Sequence, residues 1–200
     1  MTGSKLRMRI AMVLIAGSTI HPGAAGSGTP KSLPDSSLYQ LSSQWTTDDG
    51  HTLRLEDLQG KVRLLTLFFG HCQSTCPMVL NRLKSLESKL PKNWGNSAGF
   101  VLVTLDPRRD DSGSLAEYRR ASSLSKERWT LLRGAEEDTR ELAMLMGVAY
   151  VPSTKNGGIE HNVAMVLLDR KGRILRRDSN LEDEPGQLKA LRQAIADSGY

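Results

Sequence analysis

Apolar residues along this chain fall into two kinds of run. Val62, Leu64, Leu65, Leu67, Phe68 and Phe69 make a nearly unbroken stretch within residues 61–69, and residues 100–105 make another. Runs of this length without alternation fit strands buried on both faces, as in a parallel sheet covered by helices. Elsewhere the apolar positions recur every three or four residues. That spacing predicts helices over 77–90, 114–123, 137–146 and 185–196. The second has Ser112 or Ser114 as its cap, the third stops at Gly147, and the last packs Leu188, Leu191 and Ile195 inward. A short strand is expected over 129–132. Two hairpins complete the pattern. Asp48-Asp49-Gly50 separates the alternating runs 44–47 and 51–55, and Asp169-Arg170-Lys171-Gly172 separates 163–168 from 173–177. The order is a hairpin, then three strand–helix pairs, then a hairpin and a helix. This predicts an α/β sandwich with an extra N-terminal β-hairpin.

The N-terminal residues change the reading of location and charge. Lys5, Arg7 and Arg9 precede an apolar run at 10–20, and Gly23-Ala24-Ala25 offers small residues for cleavage. Residues 1–25 are therefore expected to be a signal peptide, with an uncleaved anchor as the alternative. The run is short for a membrane span, and no cysteine stands near the cleavage point to make a lipoprotein. Residues 26–40, rich in Gly, Ser and Pro, read as a flexible tether, and residues 41–200 as one domain. The formal net charge is +5, and removing the three charges of the signal leaves +2. Nothing in that balance calls for a nucleic acid as partner. The protein is expected to be exported, to the periplasm or the outer face of the inner membrane.

The chemistry gathers at one place. The first long strand runs into Gly70-His71-Cys72-Gln73-Ser74-Thr75-Cys76-Pro77, which holds the only two cysteines of the chain. A buried strand that delivers a cysteine pair to a helix N-terminus is the layout of thioredoxin-like redox and metal sites. The helix terminus favours thiolate over thiol, and Pro77 suits the first turn. In an oxidising compartment Cys72 and Cys76 pair as a disulfide unless a reductant or a metal holds them. As a mere staple, so short a loop stabilises by on the order of 2 kcal/mol, which a domain of this size does not need. His161 precedes the strand 163–168, and in a thioredoxin-like sheet the loop before that strand faces the cysteines. Two thiolates and an imidazole suit copper, as Cu(I) or Cu(II), and also zinc with an open position.

Other candidates are weaker. His71 adjoins Cys72 and is read as tuning the site or as a loop histidine. Met78 is a soft side chain read as helix packing. Asp106, Asp110 and Asp111 follow the second strand, where carboxylates serve a site or, more simply, turns and helix caps. Arg108 and Arg109 read as solvated charges. His51 and His21 receive no role. No residues stand out as catalytic unless Cys72 and Cys76 work as a dithiol. In that case Cys72, nearer the open loop, is the nucleophile.

Together these segments resemble the SCO/SenC family of copper chaperones. Cys72-x-x-x-Cys76-Pro77, Asp106-Pro107-Arg108-Arg109-Asp110 and Glu160-His161 carry the resemblance, which runs from about residue 55 to 198. Gln73 stands where many members have proline, and Glu160 where many have aspartate. The resemblance implies a thioredoxin-like fold and copper held by Cys72, Cys76 and His161. It also implies delivery of copper to the binuclear copper site of cytochrome c oxidase, or reduction of that site's cysteines. The implied partners are the copper-site subunit of the oxidase or another exported copper enzyme, an upstream copper donor and a thiol reductant. The alternative is an extracytoplasmic thiol–disulfide oxidoreductase without a copper role. It needs both cysteines but not His161.

Overall fold

A computed structural model describes residues 33–72, 75–94, 96–153 and 158–199. The expected signal at 1–25, with His21, lies outside them. Nine strands and four helices are present in this range. Strands β1 (Gln44–Thr47) and β2 (Thr52–Arg54) form the first hairpin. Strand β3 (Val62–Phe68) leads to helix α1 (Thr75–Ser88), β4 (Ala98–Thr104) to α2 (Ser112–Ala121), and β5 (Trp129–Arg133) to α3 (Glu136–Met146). Strands β6 (Tyr150–Pro152) and β7 (Ile159–His161) follow. Then come β8 (Met165–Leu168), β9 (Ile174–Asp178) and α4 (Glu184–Asp197).

Seven strands build one sheet in the order β2-β1-β5-β4-β3-β8-β9. The centre, β5-β4-β3, is parallel, and β1, β8 and β9 join it antiparallel. All seven residues of β3 and of β4 are buried, as the unbroken apolar runs require. Along β3 the side chains divide between two cores. Val62, Leu64 and Phe68 meet Val79, Leu83 and Leu86 of α1, Leu115 of α2, and Leu191 and Ile195 of α4. Leu65 and Leu67 meet Leu142 and Met146 of α3 together with Tyr39 and Trp45. Helices cover both faces, so the C-terminal ends of β3 and β4 open at one edge.

Several boundaries differ from the sequence expectation. Helix α1 begins at Thr75 rather than Pro77, because a proline in the first turn gives up no hydrogen bond. The cap of α2 is Asp111, not a serine: its carboxylate accepts from the Ser114 N–H at 2.8 Å. Residues 37–40, assigned to the tether, are held instead. Leu38–Gln40 form a 3-10 turn, and Tyr39, 1% exposed, lies over Gly172. At that glycine (φ +79°) a Cβ would meet Tyr39 Cγ at 2.4 Å. The hairpin β6–β7 was not foreseen, and it forms a separate two-stranded sheet. Among the described residues no helix is long and apolar enough to cross a membrane.

Candidate metal centre

Strand β3 ends in a tight turn. The Cys72 N–H donates to the Phe69 carbonyl at 3.1 Å, so Phe69-Gly70-His71-Cys72 reverse the chain where it leaves the sheet. Cys72 stands at the end of this turn, half-buried, and Cys76 lies buried in the first turn of α1. Cys76 is a free thiol. The Cys76 N–H donates to Cys72 Sγ at 3.4 Å. A helix N–H is thus aimed at the more open sulfur, and a thiolate accepts such a bond more strongly than a thiol.

His161 reaches the same place from β7. Its Nε2 lies 3.9 Å from Cys76 Sγ, and its ring meets Phe69 edge-on with centroids 6.1 Å apart. Its Nδ1 lies 3.0 Å from the Asn162 carbonyl. A proton on Nδ1, donated to that carbonyl, leaves the Nε2 lone pair directed at the sulfur. One ion with bonds of about 2.0–2.3 Å to nitrogen and sulfur spans a gap of 3.9 Å. The donor set therefore fits a thiophilic metal at Cys76 and His161, with Cys72 beside them. Among the described residues no three His, Cys, Asp or Glu side chains are already gathered closely enough to hold an ion.

The helix N-terminus was expected to favour thiolate, yet burial pushes the Cys76 thiol from 9.0 up to about 12, with Cys72 adding to the rise. Desolvation in the core outweighs the helix terminus here. Burial likewise pushes the Tyr118 phenol up to about 12, and Cys76, Cys72 and Asp110 all bear on it. These four groups share one neighbourhood.

The remaining candidates scatter. His71 is largely exposed, with Nδ1 3.8 Å from Asp110 Oδ1. Met78 is not helix packing: it is 61% exposed on α1. Asp106 pairs with Arg109 at 2.5 Å, Arg108 pairs with Glu136, and His51 lies against Asp49 in the first hairpin. Asp110 is buried and Asp111 caps α2. Two contributors were not singled out. Asn162 accepts from the Ala149 N–H at 2.7 Å and donates to the Gly147 carbonyl at 3.1 Å. It thereby pins the residue next to His161 to the end of α3. Tyr118 packs on Phe68 with ring centroids 4.8 Å apart. A groove of about 680 Å3 between the 105–109 loop, α3 and β6 contains none of Cys72, Cys76 and His161.

A sheet that brings a dithiol to a helix N-terminus, with helices on both faces, defines the thioredoxin-like class. Within that class the chain belongs to the SCO1/SenC family, whose family model matches residues 35–196. It is 25% identical over 139 residues to the SCO1 protein homolog of Bacillus subtilis, covering 68% of this chain and 72% of that one. It spans 36% and 58% of the length of relatives from Arabidopsis thaliana and Schizosaccharomyces pombe. Arabidopsis thaliana ScoI, solved with copper bound, superposes with a TM-score of 0.65 at 24% identity, over 76% of this chain and 96% of that one. BsSco, described by its disulfide switch and as a member of the Sco family of cytochrome c oxidase assembly proteins, superposes with a TM-score of 0.64. Its identity is 23%, over 76% of this chain and 91% of that one.

Proposed function

We propose that this protein is an exported copper chaperone that loads, or prepares by reduction, the binuclear copper site of cytochrome c oxidase. The observation that carries the reading is the approach of His161 Nε2 to Cys76 Sγ at 3.9 Å, next to Cys72. Cys72 and Cys76 bind copper as thiolates and release their protons as it enters, while His161 binds as neutral imidazole. The soft pair favours Cu(I), and the imidazole admits Cu(II). Membership of the SCO1/SenC family and the copper-bound Arabidopsis relative support the cargo. A SCO1/SenC lipoprotein from Bacillus anthracis with the same fold supports a place outside the cytoplasm, at a membrane.

The second reading, thiol–disulfide exchange, is favoured by the unequal burial of the two thiols. The Cys72 thiolate attacks one sulfur of a client disulfide, which breaks that bond, releases the other client sulfur as a thiolate and forms a mixed disulfide. Cys76 then displaces the client thiol, which leaves the client reduced and Cys72–Cys76 oxidised as a disulfide. A separate thiol reductant resets the pair. An anaerobic Cu(I) titration of the reduced protein against a competing chelator tests the first reading, with His161→Ala alongside. One tight equivalent is expected, weakened at least about tenfold in the variant. Weak binding by both proteins would leave a bare dithiol and make exchange the function.

A further inference from the structure

Asp110 is 1% exposed, and no part of the copper reading requires it. A carboxylate is costly to bury unless hydrogen-bond donors converge on it. Here they do. Its Oδ2 accepts from the Gly70 N–H at 2.9 Å and from the Thr104 hydroxyl at 2.5 Å. Thr104 is held in turn, since its Oγ1 accepts from the Asp106 N–H at 3.0 Å. The Asp110 N–H closes onto the Asp106 carbonyl at 2.9 Å. Gly70 is the second residue of the turn that ends at Cys72. The fit there is close: a Cβ on Gly70 would fall 2.7 Å from Asp110 Oδ1. Asp110 thus fastens the turn that carries Cys72 to the loop after β4. That loop is anchored in turn by the seven-residue parallel register of β3 and β4.

We propose that Asp110 is the positioning residue of the dithiol, acting through the Gly70 N–H to fix the place of Cys72 relative to Cys76 and His161. The role is one of hydrogen-bond geometry, so an oxygen acceptor of the same shape fulfils it. The copper readout below rests on the proposed function, and the dithiol readout does not.

The test compares reduced wild-type protein with Asp110→Ala, Asp110→Asn and Leu131→Ala. The last removes a fully buried side chain of β5 and controls for lost stability. Two quantities are measured: Cu(I) affinity against a chelator, and the equilibrium constant of the Cys72/Cys76 pair with glutathione. Asp110→Ala is expected to weaken Cu(I) binding about tenfold or more and to shift the glutathione equilibrium. Asp110→Asn is expected to stay within about threefold of wild type on both counts, keeping its oxygen acceptor. Leu131→Ala should lower the melting temperature and move neither quantity. The inference is overturned if Asp110→Ala matches Leu131→Ala in both quantities, or if the Asn variant is as impaired as the Ala variant. If wild-type protein binds no Cu(I), the copper reading fails alone, and the glutathione equilibrium decides on Asp110. Should Asp110→Ala not fold, Gly70→Ala replaces it, because its Cβ forces the turn off the carboxylate; unchanged values there overturn the inference equally.

Discussion

Cys76 combines a helix N-terminus with deep burial, and burial prevails. Its thiol ionises only as pH climbs towards 12, instead of the ordinary 9.0. In a Cys72→Ser variant, alkylation of Cys76 by iodoacetamide should therefore be slow at neutral pH and keep rising beyond pH 9. A plateau near pH 9 would contradict the burial argument. The folded state favours the neutral thiol, so whatever stability this adds is fully present below pH 9 and lost as pH rises towards 12. Asn162 provides a second residue-scale prediction. Asn162→Ala removes both bonds that hold His161's neighbour to the end of α3. Cu(I) affinity should fall about tenfold, with the thiol chemistry unchanged. Of these residues, the cysteines and His161 were legible in the sequence because such side chains are scarce and chemically pointed. Asp110 was legible only as a carboxylate that serves a site or a turn, and Asn162 was not singled out. Asp110 sits beside Asp111, which caps a helix, and only the fold shows that one of them turns inward to Gly70 while the other faces Ser114.

The elements divide by how much of their sequence is given over to burial. Strands β3 and β4 are apolar almost without interruption, and the sequence placed their ends to within two residues. The hairpin β6–β7 escaped because its strands are three residues long and one contains Pro152. In a two-stranded sheet every strand is an edge, where proline is tolerated. The first hairpin was legible from Asp-Gly, but what fastens it was not. Arg119 of α2 donates to Asp48 through Nε at 2.5 Å and Nη2 at 2.6 Å. Its Nη1 reaches the carbonyls of Leu124, Ser125 and Trp129. This pair is almost fully buried, so removing one member strands the other in the core. Asp48→Ala should cost about 3–5 kcal/mol in urea unfolding, whereas replacing both residues with apolar side chains should cost much less. A loss below about 1 kcal/mol in the single variant would show that water reaches the pair.

At the scale of the whole molecule, the candidate ligands come from two distant parts of the chain. Cys76 and His161 are 85 residues apart in sequence and 3.9 Å apart in the fold. An unfolded chain keeps the two thiols close but not the imidazole, so copper binds the native state better and stabilises it. At about 100 times the dissociation constant, Cu(I) should add about 2.7 kcal/mol. For a chain of this length that raises the melting temperature by about 5–10 °C. Most of the rise should vanish in His161→Ala. An equal rise in both proteins would place copper on the thiols alone.

His161 stands on a hairpin outside the seven-stranded sheet, whereas both cysteines hang from that sheet and its first helix. On the proposed function, an ion held there would therefore rest on two separate parts of the fold. A partner's donor could then replace the imidazole while the dithiol kept its place on the sheet and helix, so that the ion would be handed over rather than released.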